Sequence, residues 1–278
     1  MPVLLISLMI CLLLRTSVTM EAASAACRLF VTAVLPGLFP YMVLSLMLTS
    51  RVKRMSSGLL MMLGWGGGSP TGARLLPLCP GLTEKERLRL FITCGTMSPM
   101  FLMGTIGGWL NSTQAGVVCL ISVIAGGWLA GLASSLVSCK GGACPSRITN
   151  EPAHAPLSFG AAVEQSARTM LLVCGTMVML RVFAALAGEW LPDGAILPVT
   201  TLLEVTTGVA AIAALPLPLA LRTALIAGAT GFGGMAILLQ NRAVLGADAP
   251  HPVLHLLCQG LHGMISFLIA LGLMCLIG

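Results

Sequence analysis

Charge is what this chain has least of. Asp, Glu, Lys and Arg make up 9% of its 278 residues, against about 25% in a typical soluble domain. No polar block is long enough to form a separate soluble domain, which leaves one membrane domain over residues 1–278. Aromatic residues are also few, at 5%, with one tyrosine. There is no nucleotide-binding loop, no His-Glu metal helix and no nucleophile elbow. His154, His251, His255 and His262 have no metal-ligand spacing. Neither an enzyme nor a resident cofactor is expected. The net charge of +6 sits on short loops, so it reads as a topology signal rather than a nucleic-acid surface.

What is present is apolar: 57% of residues, with a mean hydropathy of +0.99. That is the composition of an all-α polytopic protein in a lipid bilayer. Most of the ten cysteines lie in apolar segments, where cysteine acts as a small hydrophobe. Cys139 and Cys144 share a loop without a second ligand pair. Cys-Gly-Thr-Met occurs at Cys94–Met97 and at Cys174–Met177. Soft sulfur suits Fe(II) or Cu(I), but the two copies fall on non-equivalent elements.

Residues 2–14 form a first apolar segment ending at Arg15. A cleavable signal peptide is the rival reading, helped by small residues at Ala22–Ala26 and opposed by the lack of a basic n-region. An amphipathic or continuing helix follows, and Pro36 and Pro40 are expected to bend the next span, which ends near Leu48. Further spans are expected at about 90–110, 115–137, 168–190, 219–240 and 253–277, with a polar connector at 138–167. This gives about seven transmembrane helices.

Two segments, 57–79 and 195–216, are too interrupted for single spans. The first carries Gly66-Gly-Gly-Ser-Pro70 and the second Glu204-Val-Thr-Thr-Gly208. Arms of about ten residues reach about 15 Å, half the roughly 30 Å hydrocarbon core, as in a re-entrant hairpin. Glycine, proline and hydroxyls at membrane depth require cover by protein or a water-lined cavity. The two halves, 27–137 and 168–278, each read span, interrupted hairpin, Gly-broken span, span. Thr71-Gly72 corresponds to Thr207-Gly208 and Thr96 to Thr230. If each hairpin returns to its own side, each half crosses three times and the second half is inverted, the plan of many secondary transporters. The loops at 51–54, 81–89, 138–167 and 241–252 then share one side with nine Lys/Arg. That side is cytoplasmic, with the N-terminus in and the C-terminus out.

The candidate substrate site follows from these interruptions. Ser69-Pro70 reads as a helix N-cap and first position, so the second arm would aim free N–H groups at an anion. Arg74 in its first turn needs a partner: a substrate carboxylate, Glu204 by the pseudo-symmetry, or the interface by snorkelling. Ser98-Pro99, and Thr230 to Gly234 with the candidate Gly233 among them, would unwind their spans. Thr71, Thr96, Ser98, Thr206, Thr207 and Thr230 are hydroxyl candidates, although Thr206 and Thr207 can bond back to the preceding turn instead. Arg181 and Gln240 are intramembrane polar residues without an evident partner.

Leu35-Pro-Gly-Leu-Phe-Pro-Tyr41, Gly68-Ser-Pro-Thr-Gly-Ala-Arg74, Thr96-Met-Ser-Pro-Met-Phe101, Leu203-Glu-Val-Thr-Thr-Gly208 and Gly231-Phe-Gly-Gly-Met235, in that order, resemble the YlbJ family. These are sporulation integral membrane proteins of endospore-forming bacteria. They carry a nucleoside-recognition "Gate" domain, shared in outline with concentrative nucleoside transporters and the iron transporter FeoB. The resemblance covers residues 2 to 277 or so. It implies a carrier of dipicolinic acid, a small aromatic dianion, from the mother cell across the outer forespore membrane, with other sporulation membrane proteins as partners. The alternatives are a non-transporting structural protein of spore assembly and a FeoB-like metal gate.

Overall fold

The computed structural model describes residues 2–52, 55–79, 81–136 and 156–277, and all regular structure among them is helical. The expected basic residues Lys53 and Arg54, and Cys139, Lys140, Cys144, Arg147, Glu151 and His154 of the connector, lie outside the described residues.

α1 (Pro2–Leu14) has 13 residues, which reach about 20 Å at helical rise. α2 (Thr16–Leu29) passes through a π-helical turn, Phe30–Val34, directly into α3 (Leu35–Thr49). Together they make one apolar helix of 34 residues, where the prolines were expected to bend the chain. A proline ring crowds the carbonyl four residues back. The wide turn immediately upstream shifts that carbonyl register ahead of Pro36 and lets the helix continue.

The first hairpin is α4 (Ser57–Gly67), a break at Gly68–Pro70, then α5 (Thr71–Leu75) and a 3-10 turn at Leu76–Leu78. α6 (Glu84–Cys94) starts with the expected Thr83 cap, completed as a capping box by Glu86. After the break at Gly95–Pro99 comes a π-helical stretch, Met100–Ile106, and a short α7 (Gly107–Trp109). α8 (Thr113–Leu136) follows. α9 (Phe159–Gly188) starts well before residue 168, so the polar connector is shorter than its composition suggests. Ser158 caps it, and the Glu164–Arg168 pair at 2.9 Å keeps its first exposed turns helical.

The second hairpin is α10 (Asp193–Leu203), Glu204, and α11 (Val205–Ala213). α12 (Leu219–Phe232) breaks at Gly233 into α13 (Gly234–Leu245), and α14 (Pro252–Ile277) closes the chain. Among the described residues, five helices are long and apolar enough to cross a membrane: Thr16–Thr49, Thr113–Leu136, Phe159–Gly188, Leu219–Asp248 and Pro252–Ile277. The described residues are thus all-helical, with the helices of a multi-pass membrane protein. The segment expected as a span at 90–110 is divided instead into α6 and a second short helical piece.

The largest apolar cluster is built on Met42, Phe101, Leu102, Ile106, Val123 and Ile226, which joins elements of both halves. Three ties between distant ends organise the remainder. Arg15 Nε lies 3.2 Å from Glu189 Oε2, Arg87 Nη1 lies 3.9 Å from Asp248 Oδ2, and the Leu157 N–H donates to Ser50 Oγ at 3.1 Å.

Candidate functional site

The two hairpin tips and the two helix breaks meet beside α13. At the first tip, Gly68 has φ of 65°, and a Cβ there would come within 2.5 Å of Ser98 N. Only glycine permits both the left-handed backbone and that approach. Ser69 N–H then donates to Thr96 O at 2.7 Å, and the Trp65 indole N–H donates to Thr93 O at 2.9 Å, which fixes the hairpin against α6 and its break. The Ser69 hydroxyl donates to Asn241 Oδ1 at 2.7 Å.

The second tip lies at the other end of α13. Gly233, with φ of 77°, turns the chain between α12 and α13. A Cβ on Gly234 would lie 3.2 Å from Thr201 O and 3.1 Å from Leu202 O, so the break packs on the last turn of α10. From Gly234 to Asn241, α13 spans the gap between the two tips, roughly 10 Å at helical rise.

Between the tips lies a cavity of about 40 Å³, lined among others by Ser69, Ser98, Glu204, Thr206 and Gln240. Its volume admits water-sized groups. Glu204 is fully buried, and it caps α11: Oε1 accepts Thr206 N–H at 2.9 Å and Oε2 accepts Thr207 N–H at 2.7 Å. Gln240 Nε2 donates to Thr176 Oγ1 at 2.8 Å, a partner from α9 that the sequence does not reveal.

No family model, curated protein or solved structure matches this chain.

Four of the ten sequence-derived site residues therefore line the cavity: Ser69, Ser98, Glu204 and Thr206. The others stand around it. Thr71 Oγ1 donates to Gly67 O at 3.4 Å, and Thr230 Oγ1 bonds back to Ile226 O at 2.7 Å. Thr96 contributes its carbonyl to Ser69, while its buried hydroxyl has no partner. Thr206 and Thr207 reach Glu204 through their backbone N–H groups rather than their hydroxyls. Gly233 supplies the turn rather than a lining surface.

Two expectations are corrected. Ser69 is not the cap of the second arm: Pro70 holds that place with no side-chain bond, and the N–H groups of Thr71 and Gly72 both donate to Gly68 O. The tight turn consumes the donors that were expected to face an anion. Arg74 is not paired with Glu204. Its Nη1 donates to Thr169 Oγ1 at 2.6 Å on α9, away from the cavity lining. Among the described residues, neither Arg74 nor Glu204 has an ion-pair partner. Asn241 was not foreseen as a site residue. Its signal was an amide next to Gln240 in an apolar helix, where polar side chains mark function or helix contacts.

Proposed function

We propose that this chain is a secondary carrier for a small organic anion, and that its working site is the cavity between the hairpin tips. One observation carries this reading: interruptions from both halves of the chain converge on one cavity whose wall holds a buried carboxylate with no ion-pair partner among the described residues. Packed membrane scaffolds gain nothing from four broken helices, whereas carriers use such breaks to bind at midplane.

In this account the chain crosses seven times, with α1 and the α6–α7 segment as crossings, and 57–79 and 195–216 as re-entrant hairpins of an inverted repeat. Arg74, which stands outside the cavity lining, receives a carboxylate of the substrate once the tips part. Its present partner is a neutral hydroxyl, which leaves the guanidinium charge available for an anion. The resemblance to the YlbJ family makes that anion dipicolinate, and the membrane the outer forespore membrane during sporulation.

A cavity of about 40 Å³ does not admit an aromatic dicarboxylate, so transport requires the tips to part. The same volume favours a second reading, a non-transporting structural protein of spore assembly. Spore phenotype separates the two. Arg74→Ala and Glu204→Gln are expected to deplete spores of dipicolinate if the site works, and to leave them normal if the fold serves only as structure.

A further inference from the structure

We propose that the cavity at Glu204 is a binding site for one alkali cation, whose release is coupled to passage of the anion. The inference rests on the carrier reading of this cavity and names the second ion that it takes.

Glu204 has no exposed surface, and no cationic side chain pairs with it among the described residues. A buried carboxylate in that position needs a compensating charge. The two backbone N–H groups of α11 satisfy one acceptor position on each oxygen and hold the carboxylate at the cavity wall. Each oxygen keeps further acceptor capacity.

The other polar groups of the wall are neutral: Ser69, Ser98, Thr206 and Gln240. They come from the first hairpin, the first break, the second hairpin and α13, so the oxygen set exists only while the tips are together. Hydroxyl, amide and carboxylate oxygens are ligands for hard cations, and they replace a hydration shell as oxygens do in alkali-ion filters. One formal negative charge balances one monovalent cation. A volume of about 40 Å³ accepts a bare alkali ion and excludes an organic one. Opening the tips to admit a larger anion would pull the ligands apart, which links release of the cation to movement of the anion.

Thermal unfolding of the purified protein in detergent tests the site without any transport measurement. Wild type is heated in NaCl, KCl and choline chloride at equal ionic strength, since choline is too large for the cavity. A ligand that binds only the folded state raises the midpoint in a concentration-dependent way. The expected result is a rise with Na+ or K+ over choline, abolished in Glu204→Gln. In Ser98→Ala the cation concentration for half the effect should rise severalfold. Equal midpoints in all three salts would overturn the proposal, and so would a midpoint that responds to pH alone, which identifies a proton as the occupant. An alkali effect undiminished in both variants overturns it as well. A protein stabilised by Na+ that moves no anion retains this site and loses the carrier. Anion uptake undiminished in choline buffer has the opposite meaning.

Discussion

The Ser69 hydroxyl donates to Asn241 Oδ1 at 2.7 Å, although the two residues are 172 positions apart. This bond ties the tip of the first hairpin to a helix of the second half, so the halves are coupled at the edge of the cavity itself.

Ser69→Ala and Asn241→Leu should therefore behave as one interaction. Each single change is expected to cost about 1–3 kcal/mol, because it leaves a buried polar partner unmatched. The double variant should cost clearly less than the sum. Unfolding in mixed micelles measures all three, and strict additivity would place the two side chains out of contact.

Glu204→Ala removes the cap of α11 and leaves two amides without an acceptor. A stability loss of roughly 1–3 kcal/mol is expected. Glu204→Gln keeps one carbonyl oxygen as an acceptor and should lose less. If Glu204→Ala unfolds at the wild-type midpoint, the cap contributes nothing to stability.

Both interrupted segments, the breaks that face them and the position of Glu204 at the second interruption were legible in the sequence. A carboxylate before Thr-Thr-Gly, or Ser-Pro inside an apolar run, conflicts locally with a spanning helix. The partners were not legible. Pseudo-symmetry suggested Arg74 beside Glu204, but a sequence correspondence fixes neither the rotation of one half against the other nor the direction of a side chain. Arg74 turns to Thr169 instead. The cap assigned to Ser69 failed because Gly68 places its own carbonyl under the first turn of α5. The continuous α2–α3 helix was hidden by Pro36 and Pro40, since a π turn has no marker in composition.

α8 and α14 approach each other through glycine. A Cβ at Gly126 would run into Ser266 Oγ and lie 3.2 Å from His262 Cδ2, whose ring is held by Nε2 against Val123 O at 2.9 Å. Gly126→Val should destabilise by about 1–3 kcal/mol or prevent folding. Gly175→Ala has nothing within 4 Å of the new Cβ and should stay within about 0.5 kcal/mol of wild type. Thermal unfolding of the pair checks this, and a destabilised Gly175→Ala would indicate a contact that α9 does not show.

The capping box at α6 makes a pH-dependent contribution outside the membrane. Hydrogen bonds from Thr83 hold the Glu86 carboxyl below its ordinary range. A depressed carboxylate contributes stability above its unfolded pKa and loses it as pH falls through the lower folded value. The order of α6's first turn should accordingly persist at neutral pH and fray on acidification. Amide exchange at residues 84–87 would follow it, and exchange that slows on acidification beyond the intrinsic rate change would contradict the assignment.

Uptake of labelled dipicolinate by liposomes bearing the purified protein tests the carrier most directly, with Arg74→Ala and Glu204→Gln beside wild type. Saturable uptake by wild type, reduced at least tenfold in both variants whose fold is intact, is the expected result. Correctly folded wild type that gives no saturable uptake under any imposed ion or proton gradient would contradict the account.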